Sequence, residues 1–116
     1  MMRTIRSAAF MVVFYLGTLA HVLAGMLASL SDTDKARAVV HHWANFHHRA
    51  ARKLLGIRAV VEGEIPSGPH LIAVKHQSMY ETLEVMLILH EPAVVLKREL
   101  ADLPLWGWVV QRYGSI

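Results

Sequence analysis

One apolar segment near the start of the chain constrains the fold more than any other feature. No Asp, Glu, Lys or Arg occurs in residues 7–31, and residues 8–30 are almost wholly apolar. As a helix rising about 1.5 Å per residue, this segment is long enough to cross about 30 Å of hydrocarbon. It also exceeds the apolar core of about 7 to 15 residues found in secretory signals. The sequence therefore predicts a retained membrane helix, with a cleaved signal and a buried core helix as alternatives.

The chain is basic, with a formal net charge of +3 and eight additional histidines. Beside a long apolar helix, this balance favours an anionic membrane surface or a phosphorylated lipid as partner. Nucleic acid is disfavoured, because the sequence has no glycine–aromatic motif, zinc knuckle or basic recognition helix. Arg3 and Arg6 before the apolar segment are matched by Lys35 and Arg37 after it, so the positive-inside rule does not orient the helix.

An amphipathic segment follows the apolar one. Ser31 or Asp32 is predicted to cap it, and Gly56 to stop it. Its apolar residues recur at spacings of three or four, at Val39, Trp43, Phe46, Ala50 and Leu54. Histidine and basic side chains make the segment too polar to span a membrane. We expect it to lie along lipid headgroups or to pack on the first helix.

Four histidines in this segment raise the question of a metal site, since they are similar to a histidine box of membrane di-iron enzymes. They are His41, His42, His47 and His48. Metal ligands on one helix normally lie three or four residues apart, and none of these pairs has that spacing. Structural or interfacial histidines are therefore favoured, and no metal ligand is predicted. The absence of cysteine excludes disulfides, thiolate catalysis and cysteine-ligated metals.

Beyond Gly56 the pattern predicts alternating strands and helices. Residues 57–63, 70–74 and 93–96 have the β-branched and apolar content of strands, and a helix is predicted from Ser78 to the Glu91–Pro92 step. A strand that is apolar on both faces is typical of a largely parallel sheet. The fold class is therefore predicted to be α/β with a mostly parallel sheet. Residues 1–56 would form membrane-anchoring helices and residues 57–116 the α/β part, ending in a short helix between two turns.

The candidate catalytic pair is His76 and Glu81. His76 follows a predicted central strand and precedes a helix, where α/β folds place ligand sites. If His76 lies just before the helix and Glu81 in its first turns, the loop can bring the imidazole over the carboxylate. A neutral imidazole accepts a proton from a hydroxyl, and a carboxylate on its other nitrogen fixes the tautomer and stabilises the imidazolium. Ser78 is close enough in sequence to hydrogen-bond in such a site.

The order of motifs around this pair resembles the glycerolipid acyltransferases. The sequence KHQSMYE at residues 75–81 is followed by LKREL at 96–100, LP at 103–104, GW at 107–108 and a glycine at 114. The usual first motif of that family is Asn-His-x4-Asp. The resemblance covers about residues 60–116. The ordered set of motifs is more specific for the family than the first motif or the later motifs alone. The apolar N-terminal helix is also similar to the anchor of bacterial members.

The resemblance implies a reaction and a role for three residues. The family transfers a fatty acyl group from a thioester, acyl-CoA or acyl carrier protein, to the free hydroxyl of 1-acyl-glycerol 3-phosphate, giving phosphatidic acid. His76 would be the general base, Glu81 its partner, and Lys97 a group that binds the acceptor phosphate. No metal, bound cofactor or covalent acyl-enzyme is implied. The expected location is the bacterial inner membrane, with the catalytic part on the cytoplasmic side.

Two substitutions and two missing motifs set this chain apart from the family pattern. Lys75 replaces the usual Asn, and Glu81 replaces Asp with one extra methylene but the same charge and acceptor atoms. The arginine-containing block and the Pro-Glu-Gly-Thr-Arg type block, which supply phosphate-binding groups, are absent. We therefore expect the first part of an acyltransferase domain, inactive by itself. The alternative is a small membrane-anchored binding or interaction protein, in which His76 is only a polar residue at a helix start.

Overall fold

The computed structural model describes residues 1–90 and 92–115, and its regular structure is helical. The elements in chain order are α1 Met2–Ser31, α2 Thr33–Ala50, a π-helical segment Ala51–Leu55, α3 Met79–Ile88, α4 Arg98–Ala101 and α5 Trp106–Tyr113. Helices α1 and α2 form an antiparallel hairpin, and α3 and α5 pack on α2.

The hairpin turns at Asp32, which is one of the two cap residues predicted from the sequence, Ser31 being the other. The backbone of Asp32 is extended, with φ −162° and ψ 135°, and its side chain accepts a hydrogen bond from the Asp34 amide at 3.0 Å. Two further bonds hold α1 in place, one to α2 and one to the π-helical segment. The Trp43 indole donates to the Thr18 hydroxyl at 3.0 Å, and the Arg6 guanidinium donates to the Leu54 carbonyl at 2.6 Å.

Gly56 ends the helical run that begins with α2. Its φ of 74° lies in the left-handed region, which glycine adopts without the steric cost of a Cβ. The predicted stop is therefore confirmed. The predicted helices after Ser78 and before Gly114 are also present, as α3 and α5.

The buried core lies where α2 meets α3 and α5. Helix α2 contributes Val40, Trp43 and Ala44, α3 contributes Leu83 and Met86, and α5 contributes Val109 and Tyr113. The Trp43 ring lies 5.0 Å from the Trp106 ring, in an edge-to-face arrangement. Leu83 is 1% exposed, and burial of a leucine side chain stabilises a fold by about 1.5–3 kcal/mol. The core thus joins residues from both sides of position 56, and the division into 1–56 and 57–116 stays a prediction.

The predicted mostly parallel α/β sheet is wrong for the residues that the structure describes. They contain no strand, and the segments 57–63, 70–74 and 93–96 have no regular structure. Leu71, in the predicted buried strand 70–74, is fully exposed, and Val60 and Val95 are exposed too. A strand persists only through hydrogen bonds to a neighbouring strand. These three segments have β-forming composition, but no backbone hydrogen bond within the described ranges pairs them.

Helix α1 keeps most of its apolar surface outside the core. Only 6% of its most apolar 18-residue stretch is buried, and α1 is long and apolar enough to cross a membrane. The exposed apolar side chains recur at helical spacing and form a stripe that we call the α1 stripe: Val12, Leu16, Leu19, Leu23, Leu27 and Leu30. This exposure argues against the alternative of a buried core helix.

Two helical glycines give a matched test of how closely the helices pack. A Cβ on Gly107 in α5 would collide with the backbone carbonyl of Ala101, whereas a Cβ on Gly25 in α1 would make ordinary contact with Val109, at 3.4 Å. We expect Gly107→Ala to destabilise the fold by about 1–3 kcal/mol through overpacking. Gly25→Ala should be neutral or stabilising by up to about 1 kcal/mol, because alanine favours helix. Thermal unfolding followed by circular dichroism measures both, and equal effects would contradict the packing described.

Candidate active site

The turn that leads into α3 is organised by Ser78. Ser78 is extended, with φ −158° and ψ 172°, and its hydroxyl oxygen accepts a hydrogen bond from the Tyr80 amide at 3.2 Å. Glu81, the third residue of the helix, reaches back to the Ser78 amide at 2.6 Å. This reciprocal arrangement is a capping box, which satisfies amide donors that the first turn of a helix leaves unpaired.

The Glu81 carboxylate is held by several donors at once. Oε1 accepts from the Gln77 and Ser78 amides, and Oε2 accepts from the Ser78 hydroxyl. These bonds stabilise the ionised form. They hold the pKa of Glu81 well below its ordinary value of about 4.5, with the Ser78 hydroxyl as the largest cause and the Ser78 amide next. The position near the positive end of α3 favours a negative charge as well.

The same oxygen of Glu81 contacts the imidazole of His76. Nδ1 of His76 lies 3.0 Å from Oε1, and the His76 side chain is 73% exposed while that of Glu81 is 25% exposed. A carboxylate can only accept, so Nδ1 carries the hydrogen and donates it. The lone pair of the neutral ring is then on Nε2. The two side chains therefore lie as the sequence predicted, and their catalytic role stays a prediction.

Thr82 is a third member of this site that sequence reasoning missed. Its hydroxyl oxygen lies 3.2 Å from Nδ1 of His76, and it donates a hydrogen bond to the Ser78 carbonyl at 3.3 Å. With its own hydrogen directed to Ser78, the Thr82 oxygen is an acceptor for Nδ1–H, which reinforces the tautomer set by Glu81. The available signal was the position of Thr82, four residues after the cap, where a threonine hydroxyl often bonds back to the backbone.

Lys97 is separate from this constellation. It precedes α4 as its cap residue, with extended backbone, and its side chain is exposed. No hydrogen bond or ion pair among residues 1–90 and 92–115 joins Lys97 to His76 or Glu81. Its proposed role toward a phosphate therefore stays a prediction.

A second histidine–carboxylate contact fixes α3 against α2. Nδ1 of His48 lies 2.8 Å from Oε1 of Glu84, whose side chain is 8% exposed. The neighbouring His47 is 3% exposed, and burial lowers its pKa despite the opposing effect of Glu84. Burial, and then Glu84, raise the pKa of Tyr80. Glu84 is about one helical turn beyond Glu81, so its contact with His48 positions α3, and with it the candidate site, against α2. No sequence pattern predicted this contact.

Two of the four clustered histidines, His47 and His48, thus make different contacts. His47 packs against the rings of Phe10, Phe14 and Tyr80, and His48 bonds Glu84. No group of three or more His, Asp or Glu side chains suited to a metal ion occurs in the described parts of the chain.

The arrangement at His76 is suited to proton transfer from a hydroxyl. The ring is exposed to an incoming molecule, Nδ1 is tied to Glu81 and Thr82, and Nε2 takes part in none of the hydrogen bonds found among the described residues. A base positioned in this way, with an ionised partner, can accept a proton while its positive charge is stabilised.

The depressed pKa of Glu81 gives a direct test of the capping geometry. The ionised carboxylate should stabilise the start of α3 fully above pH of about 4.5, and this contribution should be lost as the pH falls through the lower native pKa. NMR titration of the Glu81 carboxyl carbon measures that pKa. Ser78→Ala should raise it toward the ordinary value, because the hydroxyl is the largest cause of the shift. A Glu81 midpoint at the ordinary value of about 4.5 in the parent protein would disprove the geometry.

Comparison with known proteins supports one family. The chain is 36% identical over 99 residues to a curated 1-acyl-sn-glycerol-3-phosphate acyltransferase of Pseudomonas aeruginosa. The matched region is 84% of this chain and 37% of that relative, so the chain spans little more than a third of the relative's length. No protein-family model and no solved structure matches. The similarity confirms what the motifs predicted: this chain resembles the glycerolipid acyltransferases, and bacterial 1-acyl-sn-glycerol-3-phosphate acyltransferase in particular.

Proposed function

We propose that this chain supplies the general base of an enzyme that acylates 1-acyl-glycerol 3-phosphate. The acyl donor is a thioester, acyl-CoA or acyl carrier protein, and the product is phosphatidic acid for phospholipid synthesis. The observation that carries the proposal is the 3.0 Å contact between Nδ1 of His76 and Glu81, which leaves an exposed ring with its lone pair on Nε2. The similarity to an enzyme named for this acceptor supports the substrate class.

The proposed step needs only one base. Nε2 of His76 accepts the proton of the acceptor hydroxyl as the hydroxyl oxygen attacks the thioester carbonyl carbon. The carbonyl electrons move to oxygen and return as the carbon–sulfur bond breaks. The departing sulfur takes the proton from the imidazolium and leaves as a thiol, so the base is restored. The acceptor hydroxyl is itself the nucleophile, and no side chain of the chain becomes acylated.

Glu81 and Thr82 act on this step through His76. Both oxygens face Nδ1, so the neutral ring keeps its hydrogen there and offers Nε2 as acceptor. The low pKa of Glu81 means that the carboxylate stays ionised while the ring is protonated. The positive charge that develops on the imidazolium is thus next to a fixed negative charge.

For Lys97 we propose contact with the acceptor phosphate. Its side chain is exposed and takes part in none of the ion pairs found in the described residues. An ammonium group without a carboxylate partner is free to bind a phosphate oxygen.

The α1–α2 hairpin suggests how the protein meets the membrane. Arg37 and Arg49 of α2 lie twelve residues apart, about 18 Å along a helix and less than the roughly 30 Å of a hydrocarbon layer. If α1 crossed the bilayer with α2 beside it, at least one guanidinium would enter the hydrocarbon at high cost. We place the hairpin at the surface, with the α1 stripe in the apolar layer. The acyl donors are water-soluble, which favours the cytoplasmic face of the bacterial inner membrane.

Replacement of the base gives the main test. In the protein that carries this sequence, His76→Ala should lower kcat for acyl transfer by about 10²–10⁴-fold, the usual contribution of a general base. His70→Ala is the matched control, because His70 is an exposed histidine whose Nδ1 lies 3.0 Å from the Gly68 carbonyl and bonds no carboxylate among the described residues. Acyl transfer is measured with a radiolabelled thioester. Activity of H76A within a few-fold of the parent would remove His76 as the base.

Substitution of Lys97 tests the phosphate contact. Lys97→Gln should raise KM for 1-acyl-glycerol 3-phosphate by about 10- to 100-fold, since a hydrogen bond to a charged group contributes about 1.5–3 kcal/mol. The KM for the acyl donor should change little. Lys35→Gln, which removes an exposed lysine on α2, is the control. An equal rise in both KM values for K97Q would contradict a role specific to the acceptor.

A further inference from the structure

A cleft lies between α1, α2 and the π-helical segment. Its volume is about 560 Å³. Three apolar side chains from the three elements form one part of its wall, namely Val13, Phe46 and Leu54. Three side chains that can donate hydrogen bonds form another part, namely His42, Arg49 and Lys53.

The cationic part of the cleft has no acidic counterpart among residues 1–90 and 92–115. Within these residues no Asp or Glu lines the cleft, and no ion pair includes Arg49 or Lys53. Both side chains are exposed. A guanidinium and an ammonium beside one cavity form strong charge-assisted bonds to a phosphate. The charge of the cleft is therefore complementary to an anionic ligand.

The apolar wall depends on a close approach of the two hairpin helices. The Phe46 ring packs directly against Gly17 of α1, where a Cβ would collide with it. Gly17 therefore lets the tip of the Phe46 ring approach α1 closely, and the ring forms the apolar wall together with Val13. Val13 is itself an exposed apolar side chain of α1, so the apolar wall of the cleft continues into exposed apolar surface of that helix.

The cleft differs in position from the candidate active site. Its lining includes no residue of α3, which carries Glu81 and Thr82. Helix α3 instead contacts α2 through His48, whose side chain points about 100° away from that of Arg49 around the helix.

We infer that this cleft binds an anionic membrane phospholipid, with the phosphate at Arg49 and Lys53 and the start of an acyl chain against Val13 and Phe46. A free phosphate would use only the cationic part, whereas a phospholipid uses both parts. Ligand cavities are commonly about 300–1,000 Å³, so this one accommodates a headgroup and the first carbons of a chain. The rest of the lipid remains in the bilayer. This binding is independent of acyl transfer and goes beyond the proposed function.

Native mass spectrometry of the protein released from detergent containing phosphatidylglycerol tests the inference. The parent should retain one phosphatidylglycerol molecule and should not retain phosphatidylcholine. Arg49→Gln with Lys53→Gln should reduce retention by about tenfold or more, because two charge-assisted contacts are lost. The matched control removes the same charge outside the cleft, by Lys35→Gln with Arg52→Gln, and should retain the lipid.

A second variant tests the apolar wall without changing any charge. Val13→Trp narrows the cleft and should also reduce retention, while circular dichroism verifies that both variants keep their helices. Equal losses in the cleft and control double variants would show diffuse surface electrostatics and overturn the inference. Equal retention of phosphatidylcholine would overturn it too. Full displacement of the lipid by excess inorganic phosphate would identify a site for the free ion instead.

Discussion

The arrangement of the helices depends on the contacts that Trp43 makes. Its indole nitrogen bonds to Thr18 of α1, its ring meets Trp106 of α5, and it is 5% exposed within the core that includes Leu83 of α3. One side chain of α2 thus joins α1 to the elements that follow Gly56. Most of the apolar surface of α1 lies outside this core. The hairpin can therefore hold the remaining elements and still leave the α1 stripe available to a membrane.

Glu81 has one role in the fold and a second role in the proposed chemistry. As the third residue of α3 it accepts amide hydrogen bonds that begin the helix, and with the same oxygen it orients His76. If Glu81 only capped the helix, its replacement by Gln would cost little stability. If Glu81 only oriented the His76 ring, its hydrogen bonds from the Gln77 and Ser78 amides would not be needed. The combination accounts for a carboxylate at this position.

How far the sequence predicted the structure differs between helices and strands. Asp32, Gly56 and Ser78 act through local hydrogen bonds and backbone angles, so their positions at helix ends could be predicted from the sequence. The segments around Val60, Leu71 and Val95 could not be assigned in this way, because a strand depends on a partner that local composition does not specify. His76 and Glu81 were found by spacing, and the family resemblance suggested their role. Thr82 and Glu84 were missed, since their partners depend on how the chain folds back and on how α3 docks on α2.

The contacts that orient His76 all fall between residues 76 and 82. Closing so short a loop costs little chain entropy, and local helix formation takes about 0.1–1 μs, far less than the docking of separate elements. The turn can therefore assemble together with the first turn of α3, before α3 is seated on α2. Docking then determines where His76 points relative to α1 and α2, while the geometry of the His76–Glu81 pair depends on seven consecutive residues. The placement of the pair and its internal geometry are thus separable properties of this chain, the first global and the second local.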